Sequence, residues 1–204
     1  MNIYNNIAKV VTSVFTNGQR KNTPDEPCFW HTDIHSHLLP GVDDGVESQE
    51  QTLEVLRQLE AWGIRRVITT PHVNQDWYPN TPSILVEGQQ TLQKLVLDSG
   101  LNLTIEVAAE YLVDDLFLQL LESEQLLTFG DERYLLIETG WASAPHFMET
   151  VLFRIQTKGY KPILAHPERY QYYFNDLAAI AKLRDLGCLL QLNWGSMTGR
   201  YGSK

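Results

Sequence analysis

His35 and His37 open the region of this chain whose residue types and spacing most suggest chemistry. They lie in the stretch Asp33-Ile34-His35-Ser36-His37-Leu38-Leu39-Pro40-Gly41-Val42-Asp43-Asp44-Gly45. In a β-strand, residues i and i+2 point to the same face, so both imidazoles can reach one metal ion. The carboxylates just downstream offer hard oxygen ligands beside the nitrogen ones, with Asp43 reading as a turn residue that supports Asp44. Four later segments repeat the pattern. Arg66–Thr70 runs into Pro71-His72, Leu103–Ala109 into Glu110-Tyr111, Tyr134–Ile137 into Glu138, and Pro162–Ala165 into His166-Pro167-Glu168-Arg169-Tyr170. Each apolar run is strand-like, and each delivers a His or a Glu at its C-terminal end.

Imidazoles and carboxylates without a thiolate favour manganese, iron, zinc or magnesium. Two such ions a few Å apart lower the pKa of a bridging water and clamp phosphoryl oxygens for in-line attack. Thiol chemistry does not fit. A cysteine-based phosphatase needs an arginine where Cys28 is followed by Ile34 and Cys188 by Trp194. His31 and His146 read as structural or surface residues, and Trp141, Trp194, Tyr170, Tyr172 and Tyr173 as packing or rim residues.

The elements that must position these groups alternate. Ser48 and Gln51 resemble a capping box ahead of Leu53, Leu56 and Leu59, with Gly63 as the stop. Thr81-Pro82 reads as an N-cap and first helical residue, although Gly88 weakens the case for one unbroken helix. Pro145 opens a further helix that ends at Gly159, Asp176 caps another that ends at Gly187, and a short helix is expected near Asp114–Leu121. Strand–helix alternation at this spacing predicts parallel pairing through right-handed crossovers. Six strands are expected, the last at Cys188–Asn193. Functional residues at the C-terminal ends of several strands favour a (β/α) barrel over an open doubly wound sheet.

The 204 residues, 43% of them hydrophobic, suffice for one domain with a proper core. A net charge of −9 and the lack of a basic patch argue against nucleic acid or an anionic membrane as partner. Two cysteines fit a reducing compartment, no run approaches membrane-spanning length, and Met1–Phe15 makes a poor signal peptide. A cytoplasmic protein is expected, with residues 1–28 as an N-terminal leader or linker and 29–204 as the catalytic domain.

The motifs Asp33 to Gly45, Thr70-Pro71-His72, Ala109-Glu110-Tyr111, Leu136-Ile137-Glu138 and Ala165 to Tyr170 resemble the polymerase and histidinol phosphatase (PHP) superfamily. Within it, the chain looks most like the bacterial capsule and exopolysaccharide type of metal-dependent tyrosine-protein phosphatase. The resemblance implies a distorted α/β barrel of the (β/α)7 type carrying two or three ions, usually manganese, with iron, zinc or magnesium as alternatives. It implies that His35, His37, Asp44, His72, Glu110, Glu138 and His166 are metal ligands, Glu138 bridging ions. By the same resemblance Arg169 would hold the substrate phosphate, and His166 with Arg169 would make up the catalytic pair. It also implies a phosphotyrosyl protein as substrate, a tyrosine autokinase of polysaccharide export.

Members of that family continue through a further helix and strand bearing an Asp-x-His motif. No histidine follows His166 and no aspartate follows Asp185 here. The expectation is therefore a barrel lacking its last strand and helix unit. Beside the favoured function stand two others: a phosphoesterase of small esters such as histidinol phosphate, and a family member without turnover. Substrate and oligomeric state stay open.

Overall fold

The computed structural model describes residues 30–143, 145–174 and 176–197. The expected leader, residues 1–28, lies outside them. In chain order the elements are β1 (Thr32–Ser36), α1 (Gln49–Ala61), β2 (Arg66–Thr69), β3 (His72–Val73), α2 (Pro82–Asp98), β4 (Thr104–Val107), β5 (Glu110–Leu112) and α3 (Asp115–Glu122). Then follow β6 (Tyr134–Glu138), α4 (Met148–Thr157), β7 (Lys161–Ala165), α5 (Leu177–Asp185), β8 (Leu189–Gln191) and the single turn α6 (Trp194–Met197). Two 3-10 turns, Pro167–Arg169 and Gln171–Tyr173, come directly after β7. Among the described residues no helix is long and apolar enough to cross a membrane.

The strand pairs are all parallel, as the alternation predicts. Among the described residues there is no closed barrel. The strands make two open sheets, one ordered β1-β2-β4 and the other β3-β5-β6-β7-β8. One physical cause is local. Pro71 has no N–H to donate, so the run that starts at Arg66 ends its ladder at Thr69 and resumes as a separate strand at His72. The run from Leu103 is likewise divided, into β4 and β5, which is why eight strands appear among the described residues where six are expected.

The described residues group into two compact units. The first takes residues up to Pro71 together with Asn80–Val107. Here α1 starts at Ser48, whose side chain accepts from Gln51 N, while Gln51 Oε1 accepts from Glu47 N at 2.6 Å. The reciprocal half of the capping box thus falls one residue early. Helix α2, capped by Thr81, runs unbroken through Gly88. A side chain there would press on Leu39, its Cβ meeting Leu39 Cδ1 at 3.1 Å, so the glycine is a packing residue rather than a break. The edge strand β4 is covered by glutamines of α2. Gln93 Oε1 accepts from Ile105 N at 2.7 Å, and Gln89 Nε2 donates to Ile105 O at 2.7 Å. That satisfies backbone groups a sheet edge would otherwise expose.

The second unit takes His72–Pro79 and the chain from Ala108 on. Leu135, Leu136 and Ile137 of β6 are consecutive and all buried, the pattern of a parallel strand covered on both faces. Helix α4 begins at Met148, later than Pro145 suggests, and without a side-chain cap. Asp176 caps α5 by accepting from Ala179 N at 3.0 Å. Asp114 does two jobs, accepting from Phe117 N at the start of α3 and from Gln75 N, both at 2.8 Å.

Asp114→Ala removes both bonds and is expected to cost about 1–2 kcal/mol in denaturant unfolding. Asp114→Asn can still accept at the helix start but presents an amide to Gln75 N–H, so its loss should be smaller.

Candidate metal centre

In the second unit, four residues singled out by the sequence come together. His72 Nδ1 lies 2.9 Å from Glu138 Oε1 and 3.4 Å from Glu110 Oε2. His166 Nε2 lies 2.7 Å from Glu110 Oε1. Their strand positions bring this about: His72 and Glu110 are register partners in β3 and β5, Glu138 is the last residue of β6, and His166 follows β7. The Glu110 side chain has no exposed surface, Glu138 retains 9% and His166 2%. Burying two carboxylates is costly unless cations or hydrogen-bond donors compensate.

The imidazoles are held from outside as well. His72 stacks on Tyr78 with ring centroids 5.8 Å apart. Tyr78 sits in a turn closed on Asn74, whose Oδ1 accepts from Trp77 N and Tyr78 N. His166 adopts a left-handed backbone, φ 34° and ψ 54°, a conformation that costs a non-glycine residue on the order of 1–3 kcal/mol. The turn fixes it there. Arg169 N donates to His166 O at 2.9 Å, and Gln191 Oε1 accepts from His166 N at 3.4 Å. Glu168 Oε1 accepts from Asn193 N and Ser196 Oγ, tying that turn to the segment after β8.

Around His166 lies an aromatic group. Trp141 stacks on its ring at 6.1 Å and 7°, and the Arg169 guanidinium carbon sits 4.8 Å from the Trp141 ring centre. The buried Tyr170 hydroxyl accepts from Thr139 N at 3.1 Å, and Thr139 also bonds to Tyr172. Burial pushes the Tyr170 phenol far above its usual range, so it stays neutral. Burial likewise raises the Cys188 thiol to about 12, leaving it no thiolate at neutral pH.

In the first unit, His35 and His37 lie side by side at the end of β1, ring centroids 5.4 Å apart. Asp44 is exposed on the loop that follows. His31 is structural, its Nδ1 donating to Gly63 O at 3.0 Å, and His146 is exposed. The residues that sequence reasoning missed are Asn74, Tyr78, Thr139 and Gln191. They hold ligand candidates through bonds that no spacing rule announces.

The donor set suits a divalent ion. One ligand atom each from His72, Glu110 and Glu138 lies within 4.8 Å of the others, a nitrogen and oxygen set with no sulfur. A family model described as capsular polysaccharide synthesis, CpsB/CapC, matches residues 31–204. The chain belongs to the CpsB/CapC family. It is 33% identical over 172 residues to the tyrosine-protein phosphatase YwqE of Bacillus subtilis, covering 84% of this chain and 68% of that one. The tyrosine-protein phosphatase CpsB of Streptococcus pneumoniae is 31% identical over 163 residues, covering 79% and 66%. The putative tyrosine-protein phosphatase CapC of Staphylococcus aureus is 29% identical over 171 residues, covering 84% and 67%. Among solved structures, a chain from the crystallographic study of YwqE and CpsB, described as metal-dependent tyrosine phosphatases, superposes with a TM-score of 0.79. That match is 32% identical and covers 84% of this chain and 70% of the other. The chain thus spans about two thirds of the length of these relatives.

Gly45 carries a steric prediction for the first unit. A Cβ there would lie 2.4 Å from His37 O, which is backbone and cannot step aside. Gly45→Ala is expected to destabilise the protein by about 2 kcal/mol or more in chemical unfolding.

Proposed function

We propose that this protein is a metal-dependent protein-tyrosine phosphatase of the CpsB/CapC family. The observation that carries the reading is the cluster of two buried glutamates, the buried His166 and the half-buried His72 in the second unit, in a family whose named relatives are tyrosine-protein phosphatases. His72, Glu110, Glu138 and His166, with His35, His37 and Asp44 of the first unit, serve as the metal ligands. Manganese is the favoured ion. When bound, such ions acidify water and neutralise phosphoryl oxygens.

The remaining work falls to the chain's own side chains. Arg169 donates charge-assisted hydrogen bonds to the non-bridging phosphate oxygens and follows their charge as it shifts in the transition state. Trp141 braces that guanidinium by a cation–π contact, worth about 0.5–1 kcal/mol at an exposed site. Water attacks phosphorus and gives up a proton to solvent as the new P–O bond forms, the P–O bond to the tyrosyl oxygen breaks, and that oxygen leaves with a proton from solvent. The proposed substrate is a phosphotyrosyl protein, a tyrosine autokinase of capsular or exopolysaccharide export, met in the cytoplasm. The named relatives favour this reading over a small ester such as histidinol phosphate.

The test is hydrolysis of a phosphotyrosyl peptide by the 204-residue chain, with manganese and with chelator. Manganese-dependent turnover that survives thiol alkylation is expected. Arg169→Ala should raise KM and lower kcat, a combined loss in kcat/KM of about 10- to 100-fold. Trp141→Ala should also raise KM, by about three- to fivefold, with kcat nearly unchanged. Turnover unaffected by chelator, or faster on histidinol phosphate than on the peptide, would contradict the assignment.

A further inference from the structure

We propose that Asp43 is a positioning residue: it holds His37 in the tautomer protonated on Nδ1, and so turns the Nε2 lone pair toward a divalent ion. This rests on the reading of His37 as a metal ligand. Adjacent aspartates, Asp43 and Asp44, would then do different work, the first orienting a ligand and the second being one.

The geometry singles out the first aspartate. Asp43 Oδ2 lies 2.7 Å from His37 Nδ1, and Asp43 Oδ1 accepts from Gly45 N at 3.0 Å. The Asp43 side chain has no exposed surface, whereas Asp44 is exposed. A carboxylate only accepts hydrogen bonds, so the imidazole nitrogen facing it must carry the proton, which leaves Nε2 as the metal-binding atom.

The loop leaves Asp43 little room to move. Val46 N donates to His37 O at 3.3 Å and Gly41 N to Val46 O at 2.9 Å, closing the loop on itself. Asn80 Nδ2 donates to Val42 O at 2.9 Å, holding the residue before Asp43. Gly45 lies against the His37 backbone at a distance no Cβ would permit. The paired aspartates and the glycine after them thus act as one device. Both carboxylate oxygens of Asp43 are needed, because both face donors. An asparagine supplies one acceptor and would turn its amide against either the imidazole N–H or the Gly45 N–H.

Long-range proton–nitrogen NMR of the metal-free, 15N-labelled chain reads the His37 tautomer directly, with His37→Gln assigning the signal. The expected wild-type result is a proton on Nδ1 and an unprotonated Nε2. In Asp43→Asn, that preference should be lost and manganese affinity, measured by equilibrium dialysis, should fall by about 10- to 100-fold. Cooperative thermal unfolding of the variant would show that the loss is not one of folding. A wild-type His37 protonated on Nε2 overturns the proposal, whether or not the variant folds. A folded Asp43→Asn chain that binds manganese as tightly as wild type also overturns it. A wild-type chain with the expected tautomer but no manganese uptake would instead sink the metal reading, and the purpose given to Asp43 with it.

Discussion

Two buried carboxylates govern the second unit. Glu110 and Glu138 share one imidazole, His72, and Glu110 also meets His166. Charges withdrawn from water in this way are stable only when every partner is in place. Much of the surrounding structure supplies those partners or keeps them still. The parallel pairing of β3, β5 and β6 sets the glutamates beside the first histidine. The strained backbone of His166, bonded at its N–H and its carbonyl, delivers the second. A histidine just before a proline and in a left-handed conformation is unfavourable on its own, so the bonds around it must hold it there.

The aromatic group beside this centre links His166 to Arg169. Trp141 touches both the His166 ring and the Arg169 guanidinium, so the residue that would hold phosphate and a residue that would hold metal share one support. Tyr170 and Tyr172 anchor Thr139, the residue after Glu138, and so fix the chain where it leaves β6. Neutral phenols and an inert thiol leave the carboxylates, imidazoles and Arg169 as the groups with charge to contribute.

The ligand candidates of the second unit were legible because each sits where an apolar run stops, and strand ends are where parallel α/β proteins place functional groups. Helix starts were legible through Ser48, Thr81 and Asp176, whose side chains make the capping bonds expected of them, while the cap that Asp114 provides was not foreseen. Other features depend on tertiary packing. Gly88 weakens a helix on propensity alone, and its reason lies in Leu39, which packs where a side chain would stand. Pro71 was in plain sight, but its effect depends on whether a neighbouring strand needs its missing N–H, and two open sheets replaced the expected barrel. Asp43 reads as a turn residue, which it is; that its second oxygen meets His37 is a matter of loop closure rather than spacing.

The central claim is that the buried glutamates exist to hold metal. Metal content after equilibrium dialysis against manganese, measured on the wild-type chain and on Glu110→Gln, tests it most directly. The account predicts stoichiometric metal on the wild type and its loss from a folded Glu110→Gln chain. A wild type that retains no metal, or a variant that retains all of it, would show the glutamates to be a structural ion-pair cluster and contradict the account.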